Sequence, residues 1–270
     1  VEFVSRFNER SEVAGGDDKN EKLTGEMDGY PNVYIDMGIT AVNVAKKYEV
    51  SRADMDKYAQ RSQELAVKSQ EDGFFDREII PVNDHEGNEV AKDDGPRASS
   101  TLEKLSQLPE AFDGGGGVTA GNSCPLNDGA AAVLMMSEEK ANELGLKPRA
   151  KVITAATHGN EPEYMGVAPI GAIKTVLDRA GMKMDDIGQV ELNEAFAAQV
   201  IPIMAECDIP IEKMNPHGGA IALGHPFGMT GARIMGTLLN GLETDDKQFG
   251  IETMCVAGGQ GEAMVVERLN

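Results

Sequence analysis

The stretch Asn215-Pro216-His217-Gly218-Gly219-Ala220-Ile221-Ala222-Leu223-Gly224-His225-Pro226-Phe227-Gly228-Met229-Thr230-Gly231-Ala232-Arg233 leaves the backbone few options. Five glycines and two prolines surround one apolar run. Pro226 biases His225 away from the helical region toward an extended backbone. Gly224, on the other side, is free to turn tightly. His225 is therefore expected on a turn, not on a helix face. Thr230 is read as the cap of a helix that begins with the small residues Gly231 and Ala232. A histidine presented in this way titrates near neutral pH and can move a proton. The same residues also suit a Gly-rich turn with a structurally bonded histidine.

Such a turn needs a scaffold, and 270 residues with 41% hydrophobic content are enough for one large domain or two smaller ones with real cores. No apolar run approaches the length of a membrane span. A formal net charge of −20 argues against general nucleic-acid binding, which needs a basic footprint, and disfavours anionic membranes. The three cysteines, Cys124, Cys207 and Cys255, form no CxxC pair, so neither a disulfide framework nor a zinc site is indicated. A reducing, cytoplasmic setting is the simpler reading.

The chain opens on Val1, in a strand-like Val-Glu-Phe-Val run that reads as starting inside a domain. Residues 1–35 are polar and acidic, with Gly15-Gly16-Asp17-Asp18 as a loop tip. Thr40 is read as the cap of a short helix carrying Ala41, Val44, Ala45 and Tyr48 on one face. Ser51 and Asp54 form a capping box for a long helix that ends at Gly73. Residues 74–82 read as a strand. Residues 83–96 read as a solvated turn region holding a surface His85. The four glycines 114–117 read as a flexible loop; no Lys-Ser or Lys-Thr follows, so they are not a phosphate cradle. Residues 133–136 read as a buried strand, and Ser137 as the cap of a helix ending near Gly145. A boundary at Lys147-Pro148-Arg149 precedes a second α/β unit. In that unit His158 is a turn residue, and residues 170–180 are an amphipathic helix closed by Gly181. A short strand then delivers Asn193 into a turn. Glu194 ranks second to His225 as a general base. Residues 249–266 read as two strands joined at Ala257-Gly258-Gly259-Gln260-Gly261, with Cys255 at a bend whose N–H groups suit a developing oxyanion.

Three of these segments, taken together and in order, resemble the signatures of thiolases. They are Gly218-Gly219-Ala220-x-Ala222-x-Gly224-His225-Pro226, Asn193-Glu194-Ala195-Phe196-Ala197, and Cys255-Val256-Ala257-Gly258-Gly259-Gln260-Gly261. The resemblance implies an α/β, layered α-β-α-β-α fold with an incomplete N-terminal domain and an inserted helical coenzyme A-binding loop region. Residues 1–146 would be the remainder of the N-terminal domain, with the loop region at about 6–112, and residues 147–270 the C-terminal domain. The Val1 segment is similar to the strand that follows the family's nucleophile. The acyl-accepting cysteine is then expected outside this sequence, on a missing N-terminal part or a partner chain.

The activity implied is acyl-CoA C-acyltransfer, the reversible thiolytic cleavage or condensation of 3-ketoacyl-CoA and acetyl-CoA. The resemblance makes His225 the base for the nucleophile and a donor to the thioester oxygen. Cys255 is the acid/base at the substrate α-carbon, its acidity raised by a nearby His or backbone donors. Asn193 holds a water in one oxyanion site, and the N–H of Ala257 supplies half of the other. Met37, Arg97, Phe112, Cys124, Ala195 and Phe196 would line the acyl-CoA path. Arg97 would sit at the nucleotide end of coenzyme A, or else be an ordinary solvated arginine. Cys124-Pro125 stands where the family has Ser-Gly, and this segment fails the GxSxG elbow at its last position. No metal or redox cofactor is implied. The partners implied are acyl-CoA and coenzyme A, and a second copy of the chain in a homodimer or homotetramer. Nucleic acid and membrane are not. A non-catalytic acyl-CoA or lipid-binding relative is the alternative. Ketosynthases fit less well, since they carry histidine where Cys255 stands.

Overall fold

A computed structural model describes residues 20–269; the strand expected at 1–5 and the loop tip at 15–18 lie outside the described residues. Helix α1 (Met37–Lys47) is capped by Asp36, whose Oδ1 accepts from the Gly38 N–H at 2.7 Å. Thr40, expected to be the cap, sits one turn inside, and its hydroxyl donates to the Met37 carbonyl. Helix α2 (Arg52–Glu71) starts on Ser51 as expected and stops where Gly73 takes φ +73°. Beyond it the expected strand at 74–82 is replaced by a 3₁₀ turn, Phe74–Arg77. Both Phe74 and Phe75 are buried. Consecutive side chains go to opposite faces of a strand, whereas a tight turn lets both enter the same core. Only Val82–Asn83 (β1) is extended and paired, with Glu89–Val90 (β2), in an exposed hairpin that carries His85.

Helix α3 (Leu102–Ser106) leads to the four glycines, all with φ between +76° and +100°. They are packed against α1 and α2. A Cβ on Gly117 would sit 3.0 Å from Arg52 Cβ and from Met55 Cε, and one on Gly116 3.2 Å from Val42 Cγ1. The run is a close-approach device, not a flexible loop. The buried strand expected at 133–136 does not form: 124–136 has no regular structure, and Leu126 and Leu134 are 88% and 80% exposed. A strand is sustained by a neighbour's hydrogen bonds, and among the described residues none runs alongside. Ser137 caps helix α4 (Glu138–Glu143).

The rest builds one mixed sheet from β3 (Ala150–Gly159), β4 (Gln189–Leu192), β5 (Phe249–Val256) and β6 (Gln260–Arg268), in the order β3-β6-β5-β4. Only the β4–β5 pair is parallel. His158, expected in a turn, lies on β3 opposite Gly261. Helix α5 (Pro169–Ala180), closed by Gly181 at φ +65°, and helix α6 (Ala197–Glu206) share a core with Ile251 on one face of the sheet. Short helix α7 (Ala220–Leu223) precedes α8 (Thr230–Thr244), which covers the other face. There Leu238 and Leu242 fill the space above Gly250. The pleat of β5 therefore sends Ile251, Thr253 and Cys255 toward α5 and α6, and Glu252 and Met254 toward α8. Among the described residues no helix is long and apolar enough to cross a membrane.

Candidate active site

The Gly218-Gly219 pair is explained by what lies against it. Gly218 has φ +90°, and a Cβ there would strike the backbone of Ala66 in α2 at 2.6 Å. A Cβ on Gly219 would lie 2.1 Å from the Glu194 carboxyl carbon. Glu194 is fully buried. Its Oε1 accepts from the Tyr58 hydroxyl and from Asn215 Nδ2, both at 2.8 Å. Its Oε2 accepts from the Ser62 hydroxyl at 2.6 Å and the Ile221 N–H at 3.2 Å. Four donors from α2, the Asn215 turn and α7 thus converge on one carboxylate. Its lone pairs are used, so Glu194 fixes the His225 segment in place and is not available as the second base. Beside it, burial and the Glu194 charge hold the Tyr58 phenol well above its ordinary range.

His225 emerges from that segment after Gly224, whose φ is +92°. Its Nδ1 lies 2.7 Å from Thr230 Oγ1, and the Thr230 hydroxyl donates to the Pro226 carbonyl at 2.9 Å. A hydroxyl has one proton to give, so Thr230 accepts from Nδ1–H. The imidazole then carries its lone pair on Nε2, the arrangement of a general base. This use of Thr230 replaces the cap expected of it: α8 begins at Thr230 itself, with no side-chain cap. Near-neutral titration is also corrected. Burial, and secondarily the Arg233 cation, lower the His225 pKa to about 4, so the ring is neutral at neutral pH.

Cys255 lies near the end of β5, almost fully buried, with Gln199 Nε2 3.4 Å from its sulfur and Gln199 Oε1 at 3.8 Å. Burial raises its pKa, and the Gln199 hydrogen bond offsets part of that rise. The donor is therefore a side-chain amide, with the residue's own backbone helping, and not a histidine. Asn193, one residue beyond β4, gives its N–H to the Thr253 carbonyl at 3.0 Å. Its side chain is fully buried, and among the described residues neither the amide nitrogen nor the amide oxygen has a partner. Leaving such a group unmatched costs about 1–3 kcal/mol, so a polar partner reaching it would be stabilising. Ala257 follows β5 in a turn completed by Gly258 and Gly259 at φ +86° and +92°. Those two glycines take the left-handed positions, so Ala257 fits with an ordinary φ.

The 122–129 segment ties these parts together. Cys124 gives its N–H to the Ala195 carbonyl at 2.9 Å, and Ser123 pairs with Phe196. The Cys124 thiol feels the Cys255 thiol, but burial is the larger cause that pushes its pKa to about 12. Three residues on, a Cβ on Gly224 would strike Asn127 Oδ1 at 2.2 Å. On the α8 side, a Cβ on Gly231 would lie 3.7 Å from the sulfur of Met254, the residue before Cys255.

Met37, Phe112 and Cys124 pack half-buried against the cluster that contains Ala195 and Phe196. The rings of Phe112 and Phe196 meet edge-on at 6.1 Å, and Gly38 leaves the room that the Phe112 ring occupies. Arg97 is not part of that wall. It is exposed, with its backbone N–H bound by Gln63 Oε1 at 2.7 Å, while Gln63 Nε2 donates to the Ile221 carbonyl.

Gln199 was not anticipated from the sequence. The available signal was a lone amide in the otherwise apolar run Ala197-Ala198-Gln199-Val200-Ile201. Equally unforeseen is a buried carboxylate group beneath α8. Glu191 and Glu252 are register partners on β4 and β5, and Glu78 is held by Thr237 and Asn240. Burial raises Glu191 to about 8 and Glu252 to about 7, and the Arg233 cation pulls both down in part.

The profile of the thiolase N-terminal domain matches residues 2–139, and that of the thiolase C-terminal domain residues 146–268. A probable acetyl-CoA acyltransferase of Staphylococcus aureus (strain COL) is 46% identical over 247 residues, covering 89% of this chain and 63% of that protein. The dimeric peroxisomal thiolase of Saccharomyces cerevisiae superposes with a TM-score of 0.86 at 40% identity, over 94% of this chain and 64% of that one. The Bacillus anthracis acetyl-CoA acetyltransferase gives 0.83 at 43% identity, over 87% and 60%. The chain thus spans about 63% of the length of the curated relatives it matches.

Proposed function

The chain belongs to the thiolase family, and from that premise we propose that its site exchanges an acyl group between a cysteine and coenzyme A beside a 3-ketoacyl thioester. The observation that carries this reading is Asn193: a fully buried amide with no side-chain partner among the described residues, hydrogen-bonded through its backbone to the strand that bears Cys255. An amide so placed is suited to hold a water against a thioester oxygen.

In the cleavage direction a cysteine thiolate adds to the keto carbon and the bond between the α- and keto carbons breaks. The electron pair passes to the α-carbon, and Cys255 delivers its thiol proton there. The coenzyme A thiol then gives a proton to His225 Nε2 as its sulfur takes the acyl group and the enzyme cysteine leaves as a thiolate; that proton passes from His225 to the departing sulfur and on to the Cys255 thiolate, which restores the starting state. Condensation runs these steps backward. The neutral His225 and its free Nε2 support the base role. The N–H of Ala257 serves the second oxyanion. Met37, Phe112, Cys124, Ala195 and Phe196 form the acyl-CoA wall, and Arg97 meets the nucleotide phosphates.

None of the three thiols here suits the acyl-accepting role. Cys255 is occupied as acid/base, Cys207 is buried at the end of α6 and raised to about 12, and Cys124 is raised to about 12. The nucleophile accordingly comes from outside these 270 residues, in a longer polypeptide or a partner chain. We take residues 1–146 and 147–270 as the two domains, and the assembly as a homo-oligomer. Free thiols support a reducing, cytoplasmic compartment.

Calorimetric titration of coenzyme A into the 270-residue chain, beside an acetoacetyl-CoA thiolysis assay, tests the proposal. Saturable binding without thiolysis is expected. Absence of binding refutes the site, and efficient thiolysis by this chain alone refutes the external nucleophile.

A further inference from the structure

We propose that Gln199 is a positioning residue for Cys255: its side-chain amide fixes the sulfur and donates to it in the thiolate form, so that the proton can be taken and returned at the substrate α-carbon. This deepens the acid/base role given above to Cys255 and rests on it. The geometry is specific. Gln199 lies in the first turn of α6 and is 1% exposed. Its Nε2 is 3.4 Å from Cys255 Sγ, and its Oε1 is 3.8 Å away, able to accept from the neutral thiol. One amide thus serves both protonation states: N–H to the thiolate, C=O to the thiol.

The amide is held from behind. A Cβ on Gly166 would lie 3.0 Å from Gln199 Cβ and 3.4 Å from its Oε1, so the turn Pro162–Val167 packs directly on it. The titratable group that interacts with Cys255 is the Cys124 thiol, from the segment beyond Asn122, and Glu194 in turn acts on Cys124. Among the described residues no cation acts on the sulfur, so a neutral donor is what favours the charged form in a buried place.

The test follows alkylation of Cys255 by iodoacetamide against pH in the 270-residue chain, reading each cysteine-bearing peptide by mass spectrometry. Cys207, at the far end of the same helix, reports whether α6 has loosened. Gln199→Leu removes the donor. Gln199→Glu keeps the shape but sets a carboxylate beside the sulfur. Labelling of Cys255 at a fixed pH below its midpoint is expected to fall about ten-fold in Gln199→Leu, one unit of midpoint, and further in Gln199→Glu, with Cys207 unchanged. Wild-type or faster Cys255 labelling in the two variants overturns the proposal, because packing alone then explains the contact. Since no turnover is measured, this outcome is independent of whether the chain belongs to a working thiolase. If coenzyme A fails to bind, the thiolase site falls while the labelling result stands.

Discussion

Replacing Glu194 by Gln distinguishes a scaffold carboxylate from a catalytic one. The four groups around it are all donors: Tyr58 and Asn215 on Oε1, Ser62 and the Ile221 N–H on Oε2. Glutamine offers one accepting oxygen and one NH₂. Whichever way the amide points, two donors face a donor. The Tyr58 hydroxyl can rotate and accept, as can Ser62, which already accepts from the Gly219 N–H at 3.2 Å. The backbone N–H of Ile221 and the Asn215 amide nitrogen cannot. Each charge-assisted bond lost costs about 1.5–3 kcal/mol, and partial relaxation leaves a net loss of about 3 kcal/mol. For a domain of this size that is a fall in Tm of about 6–12 °C. Differential scanning calorimetry of the 270-residue chain reads it directly. A Glu194→Gln variant melting within about 2 °C of wild type, while a complete enzyme carrying it loses turnover, would return Glu194 to the list of bases and remove it from the scaffold.

Three further outcomes follow from the same geometry. Glu252 has a folded pKa of about 7 against an ordinary 4.5, so it weakens the fold progressively as pH rises from about 4.5 to 7 and fully above that. Glu252→Gln should therefore be more stable than wild type by about 2–3 kcal/mol at pH 8 and by almost nothing at pH 4.5, read by urea unfolding. His225 titrates in the opposite sense, losing stability as pH falls from about 6.5 to 4, but it is common to both proteins and cancels; an equal gap at both pH values would refute the assignment. Arg97→Ala should weaken coenzyme A binding about ten-fold with little change in kcat of a complete enzyme, and unaltered calorimetric affinity would take Arg97 out of the site. In a complete enzyme, His225→Ala and Cys255→Ala should each lower kcat by roughly 10²–10⁴, and near-normal turnover in either would dismiss its role.

What the sequence made legible was local. Ser51, Ser137, Gly73 and Gly181 mark helix ends in the chain and do so in the fold, because caps and left-handed glycines act within one turn. Thr230 misled because its hydroxyl is taken by Pro226 and His225, a local side-chain pattern that no propensity reports. The Phe74-Phe75 pair has strand composition, yet it turns because α2 ends just before it and both rings enter the core. The Gly218-Gly219 doublet was readable as a turn. Its cause was not, since Ala66 and Glu194 press on it from 152 and 25 residues away in sequence. Gln199 was hidden for the same reason, being 56 residues from the sulfur it serves.

The location of the site has its own physical logic. β4 and β5 are the only parallel neighbours in the sheet, and both run toward the same edge. Asn193 leaves β4 at that edge, and Cys255 stands one residue before the end of β5. Ligands of α/β sheets gather beyond the carboxyl ends of parallel strands, where the chain departs in different directions and leaves a crevice. Here β4 departs into α6, which supplies Gln199, while β5 reverses into the antiparallel β6 through Ala257. Groups distant in the polypeptide therefore meet because the sheet changes direction between them. The unmatched Asn193 amide lowers stability at that edge. The four-donor Glu194 and the close glycine contacts around it lie directly behind. Rigidity in that second layer is what lets the first keep a polar group unsatisfied.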